Sequence, residues 1–172
     1  AYLAWGHPTN NNTTYENARG LLGSILMRGF PIIMHNAKFD LAVLTEAMDL
    51  PMPDPKRIHD TMLLAFLNNP YEPTLALKPL AEKHLQLPPV ERDAVRDWLV
   101  ENRVCRVSDK QWGAYIAMAP GDLVGAYAIG DVERTGKLFH YLYKHVVQID
   151  GMGAAYDLSL IHISEPTRRR GI

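Results

Sequence analysis

The chain is poor in the features that mark scaffolds, membrane proteins and broad nucleic-acid binders. A single cysteine, Cys105, stands among 172 residues, which excludes a disulfide framework and any multi-cysteine zinc site. No apolar run approaches the ~18 residues that a membrane span needs. An excess of basic charge is also missing. With 18 Lys+Arg against 19 Asp+Glu the net charge is −1, which argues against a wide electrostatic grip on nucleic acid. It leaves room for a narrow cleft that takes one strand end through metal ions. Repeats and low-complexity tracts are absent. What remains is 47% apolar and 22% charged, the composition of a folded chain of about one domain. The first residue is Ala1, with neither an initiator Met nor a signal-like segment, so the expectation is a piece of a longer protein.

The C-terminus reads differently from the rest. Leu158 through Arg168 (Leu-Ser-Leu-Ile-His-Ile-Ser-Glu-Pro-Thr-Arg) matches the in-frame translation of a common transposase sequencing adapter. Residues 158–172 are therefore expected to be translated adapter and are set aside from the fold. Without them 15 Lys+Arg face 18 Asp+Glu, a charge of −3.

Along the rest of the chain, apolar spacing and turn residues predict alternating strands and helices. Ala1–Trp5 reads as the end of a strand and Gly6–Thr14 as a polar loop. A helix over Glu16–Arg28 should stop at Gly29. Pro31–Met34 reads as a buried strand and Ala37–Met48 as a helix. A proline loop leads to a short strand at Arg57–His59, and Asp60 then caps a helix to Leu67. Helices are predicted at Leu75–His84, Pro88–Asn102 and Asp122–Val147, with Val104–Met118 ambiguous. Alternating strands and helices indicate an α/β domain.

Two aspartates sit on apolar faces. At roughly 100° per residue, Leu123, Val124, Tyr127, Thr135, Leu138, Leu142 and Val146 occupy one arc of about 140°, with Asp131 at its centre. Asp122, Glu133, Lys137, His140 and Lys144 take the opposite side. In the 37–48 helix, Asp40 shares the face of Val43, Leu44, Ala47 and Met48, with Asn36 one turn before it. A buried ionised carboxylate is costly unless a cation or several donors compensate it. A helix dipole can favour an Asp in a first turn, so Asp40 alone is ambiguous. Two such acids favour a shared divalent cation, and oxygen ligands without cysteine suit Mg²⁺ or Mn²⁺.

These residues resemble a known family. His35-Asn-Ala-Lys-Phe-Asp40-Leu is similar to the second motif of the DEDD 3′–5′ exonucleases, Asn-x-x-x-Asp after a strand. Tyr127-Ala-Ile-Gly-Asp131-Val-Glu-Arg-Thr135 resembles their third motif, and its tyrosine marks the Y subclass. His59-Asp-Thr-Met-Leu63 and Leu80-Ala-Glu-Lys-His-Leu85 resemble linking segments of the proofreading domain of family A DNA polymerases, the DNA polymerase I type, most closely its phage versions. The resemblance covers roughly residues 1–150. It implies a ribonuclease H-like 3′–5′ exonuclease fold, a mixed sheet flanked by helices, with the first strands missing. The family's opening Asp-x-Glu motif has no counterpart, since the only acid before residue 36 is Glu16. The expected organisation is a partial exonuclease domain over 1–150, the start of a linker to a missing polymerase domain over 151–157, and adapter beyond. The chain alone is expected to be inactive.

The resemblance also implies a mechanism. Two divalent cations, Mg²⁺ or Mn²⁺, about 4 Å apart would run an in-line hydrolysis of the 3′-terminal phosphodiester. Asp131 would ligate the ion on the nucleophile side and Asp40 the second ion. Tyr127 would orient the attacking water, making Asp40, Tyr127 and Asp131 the catalytic set. Asn36 and Phe39 would line the path of the strand end, Phe39 by packing on sugar or base. The implied partners are a single-stranded DNA 3′ end and a polymerase domain in the same chain, with no membrane, in the cytoplasm of a bacterial or phage-infected cell. Asp60, Thr135, His35 and His59 read as structural, and Trp5, Trp98 and Trp112 as packing. Alternatives are an RNase D-like exoribonuclease, an HD-type metal phosphohydrolase using His35, His59-Asp60 and Asp131, and a scaffold whose acids bind nothing.

Overall fold

A computed structural model describes the chain except residues 89 and 165–172 and the side chains of 90–93 and 161–164. The architecture is α/β and mostly helical. In chain order the elements are α1 (Tyr15–Leu26), β1 (Ile32–Met34), α2 (Ala37–Ala42), β2 (Ile58–Asp60), α3 (Thr61–Asn68), α4 (Leu77–Leu85), α5 (Val90–Glu101), α6 (Gly121–Val147) and α7 (Met152–Ser164). Strands β1 and β2 pair in parallel, with Ile32 opposite Ile58, Ile33 opposite His59 and Met34 opposite Asp60. Helix α2 makes the crossover between them, as a parallel pair requires.

The expected mixed sheet is corrected. Among the described residues the sheet has two strands, both parallel. Ala1–Trp5 is irregular because its polar groups turn to the loop that follows. The Ala4 carbonyl accepts the amides of Asn12 and Thr13, and the Ala4 amide donates to Asn12 Oδ1 at 2.8 Å. With those groups taken, residues 1–5 pair with no strand.

The helix expected over 37–48 changes winding at its middle. Beyond Ala42 it widens into a π-helical turn over Val43–Ala47, and the Met48 amide reaches back to Val43 O at 3.1 Å. Met48 and Leu50 then bury against Leu26 of α1, with Trp5 packed alongside. Val104–Met118 resolves into a loop and a 3₁₀ stretch over Trp112–Met118.

Two larger cores lie along one face of the long helix α6. Toward its C-terminal end Leu138, Leu142 and Val146 meet Leu64 of α3, Leu80 of α4 and Tyr156 of α7. Toward its N-terminal end Val124 meets Val95, Leu99, Trp112 and Ala119, with Trp98 partly buried beside them. All three tryptophans thus pack as expected. Residues 151–157 lie largely within α7, where Tyr156 is 1% and Leu160 6% exposed in that core. Of the adapter-like stretch, 158–164 continues α7 and 165–172 lies outside the described residues.

The start of α6 is built around small residues. Gly121 donates its amide to Thr9 O at 3.0 Å, and a Cβ placed there would lie 2.6 Å from Asn10 O and 2.9 Å from Ala4 Cβ. Backbone cannot swing aside as a side chain can, so Gly121→Ala is expected to destabilise by roughly 1–3 kcal/mol. Gly20→Ala, with open space around it, serves as the comparison in urea unfolding. Equal midpoints for the two variants would contradict this packing.

Candidate active site

The site forms where α2, α4 and α6 meet at the end of β1. Asp60, the last residue of β2, is the pivot. Its carboxylate accepts the amides of Asn36 at 3.0 Å, Ala37 at 2.9 Å and Met62 at 2.9 Å. It therefore caps α3, as its sequence position indicates, and also the start of α2, which the sequence does not reveal. Asn36, the residue before α2, stands in the left-handed region with φ of 65°, a conformation asparagine tolerates better than most. This turn sets Asp40 one helical turn into α2.

Asp40, Tyr127 and Asp131 all line one cleft of about 610 Å³, together with Met34, His35 and Thr135. The structure thus brings together the three residues expected to be catalytic. Asn36 and Phe39 do not line it. Both are exposed, Phe39 at 64%, on the outer side of the same turn. Thr135 donates to Asp131 O at 2.8 Å, a bond within α6 that supports the structural reading of Thr135.

The two carboxylates differ in environment. Asp40 has no ion pair within reach among the described residues. Its carboxyl is pushed up to about 6, first by burial and then by the negative charge of Asp60. The folded chain therefore holds a proton between about pH 4 and pH 6 that the unfolded chain releases, and stability falls as pH rises through that window. Asp40→Asn removes the penalty. Above pH 6 the variant is expected to be more stable by about 1 kcal/mol, discounted because the carboxyl is only half-buried. Near pH 4 the two should melt together. A variant that is less stable at pH 7 would contradict this account.

Asp131 lies between two cations. Lys78 Nζ is 3.5 Å and Arg134 Nη1 3.6 Å from Asp131 Oδ1, an oxygen that is buried and accepts no hydrogen bond. Lys78 also stands over the Tyr127 ring, 3.7 Å from its centroid, a cation–π contact. Arg134 Nη2 donates to Pro88 O at 2.8 Å. Sequence reading missed both cations. Arg134 stands three residues after Asp131, a spacing that brings side chains together on a helix and could have revealed it. Lys78 comes from α4, and no local pattern marks it.

The histidines serve the frame. One ring nitrogen of His35 contacts Thr61 Oγ1 at 2.8 Å and the other Leu75 O at 3.0 Å, and burial draws its pKa below the usual histidine value. His59 packs among Phe139, Tyr143 and Tyr156. With Asp60 bonded to three backbone amides and His59 in an aromatic cluster, the HD-type arrangement of His35, His59-Asp60 and Asp131 does not form.

The donor set suits a hard divalent cation in part. Two carboxylates share the cleft, one with a buried oxygen free of hydrogen bonds, and oxygen donors are what Mg²⁺ and Mn²⁺ prefer. Among the described residues no group of three or more His, Cys, Asp or Glu gathers to complete such a site. In the same residues no helix is long and apolar enough to cross a membrane.

Comparison with known protein families finds a match. The family of the DNA polymerase A exonuclease type, described as 3′-5′ exonuclease, matches residues 8–147. No curated protein and no solved structure matches the chain.

Proposed function

The chain belongs to the 3′-5′ exonuclease family of the family A polymerase type, and from that premise we propose that it is the proofreading exonuclease part of a DNA-directed DNA polymerase. Its reaction would be hydrolysis of the 3′-terminal phosphodiester of single-stranded DNA. The observation that carries this reading is the convergence of Asp40, Tyr127 and Asp131, distant in sequence, on one cleft.

Asp40 and Asp131 would hold Mg²⁺ or Mn²⁺, two ions in all. When bound, such ions make water nucleophilic at neutral pH and stabilise the leaving oxygen. The chain's own groups do the rest. Asp131 offers an oxygen that no hydrogen bond occupies. Asp40 offers an ionised carboxylate above about pH 6. Tyr127, whose ring is steadied by Lys78, orients water with its hydroxyl. Asn36 and Phe39, exposed beside Asp40, guide the strand end, Phe39 by stacking. Thr135 and the Asp60 caps keep the two helices in place. Residues 158–172 we read as translated adapter, without a part in the reaction.

The 172 residues hold no Asp-x-Glu pair ahead of Asn36, so these residues alone are expected to be inactive. A protein that joins this segment to such a pair should shorten 5′-labelled single-stranded DNA stepwise from its 3′ end in Mg²⁺ or Mn²⁺. Shortening from the 5′ end would overturn the reading, and faster trimming of RNA than of DNA would favour the RNase D-like alternative.

A further inference from the structure

We infer that a second cavity beside the cleft holds the phosphodiester backbone of the strand leading into it, with Lys78 and Lys110 as its phosphate contacts. The inference rests on the exonuclease reading above. This cavity, of about 450 Å³, is walled by Leu77, Lys78, Lys110, Trp112, Tyr127 and Asp131 among others. Leu77, Tyr127 and Asp131 also line the cleft, so a chain bound in one space passes directly into the other.

The two spaces differ in charge. The cleft presents Asp40 and Asp131 and would receive a phosphate only together with cations. The second cavity shares Asp131 but adds the ammonium groups of Lys78 and Lys110. Lys78 is already ordered. Its side chain is 13% exposed and is held by both Asp131 and the Tyr127 ring, so little further freedom is lost on binding. Asp131 keeps Arg134 as a second counter-ion. Lys78 can therefore turn to a phosphate without leaving that carboxylate alone. Lysine meets phosphate as a point charge and needs no forked geometry. Lys110 is exposed and reaches the same space from the rim. Trp112, 8% exposed, supplies a flat apolar wall against which a sugar or base can pack.

A phosphate ester could come from a strand or from a released mononucleotide, and length dependence separates them. The test is fluorescence anisotropy of 5′-fluorescein hexathymidylate with the full chain in EDTA, at several salt concentrations. Lys78→Met and Lys110→Met are each expected to weaken binding roughly three- to tenfold and to lower the salt slope by about 0.7, the value for one single-strand phosphate contact. Lys137→Met, on the exposed side of α6, should change neither. Thymidine monophosphate should compete far more weakly than the hexamer.

The inference is overturned if the wild-type chain does not bind the hexamer, if both lysine variants keep its affinity and slope, or if the monophosphate competes equally. Stabilisation by Mn²⁺, read as a melting shift that Asp131→Asn removes, is measured in parallel. If that shift is present while binding ignores the lysines, only this inference falls. If the shift is absent, the metal-dependent reading of the cleft falls instead.

Discussion

Replacing Asp131 by alanine is expected to remove metal binding and to destabilise the fold in the same step. As a direct ligand its loss should lower Mn²⁺ affinity by more than about 100-fold, the upper end for groups that merely support a ligand. In a protein that also carries the Asp-x-Glu pair, hydrolysis of single-stranded DNA should disappear. The structural effect follows from the neighbours. Lys78 and Arg134 have side chains 13% and 6% exposed, and without Asp131 each loses that carboxylate as a counter-ion. Breaking such a buried set typically costs about 3–5 kcal/mol. Asp131 is itself 27% exposed, so roughly 2–3 kcal/mol is the expectation here. For a chain of this size that lowers Tm by roughly 5–10 °C. Asp131→Asn keeps the volume and an oxygen for the two cations, and should lose the metal with a smaller fall in Tm. Thermal melting with and without Mn²⁺ reads both effects. An unchanged Mn²⁺ shift in Asp131→Ala would refute the metal assignment, and an unchanged Tm would refute the ion-pair account.

Asp60→Ala is expected to be more destabilising still. The carboxylate is 1% exposed and satisfies amides at the starts of two helices at once. A buried donor left without its acceptor costs about 1–3 kcal/mol, and the loss of one helix cap about 1 kcal/mol. Three donors on two helices put the sum at roughly 3–5 kcal/mol, since losses in one network do not add fully. Urea unfolding measures it, and a loss under about 1 kcal/mol would show that water replaces the carboxylate at both caps. Asp60→Asn gives an independent readout at Asp40. The Asp60 charge is the second cause of the raised Asp40 pKa, after burial. Removing it should move that pKa down from about 6 but not to the ordinary carboxylate value, as followed by NMR titration.

Much of this arrangement was legible in the chain. The period of α6 placed Asp131 among Val124, Leu138, Leu142 and Val146, because a residue's face on a helix depends only on local spacing. The same holds for Asp60 as a cap, where a short polar side chain before an apolar run has a local cause. The strand–helix–strand order of β1, α2 and β2 was readable from Pro31–Met34, Ala37 onward and Arg57–His59, and the parallel pairing was not. The outcome was different wherever a partner came from afar. Ala1–Trp5 has strand-like composition, but its hydrogen bonds go to Asn12 and Thr13. No local pattern in 151–157 marks that Tyr156 reaches the β2 backbone, accepting the Asp60 amide at 3.0 Å.

The sequence by itself determined which acids lie on apolar faces, which helices carry them and which family motifs they spell, all consequences of spacing along one chain. Only the tertiary structure decided that Asp40 and Asp131 share a cleft, that Lys78 and Arg134 flank one carboxylate, and that Asp60 starts two helices. Those relations depend on how α2, α4 and α6 pack. Packing brings together residues that no local period connects.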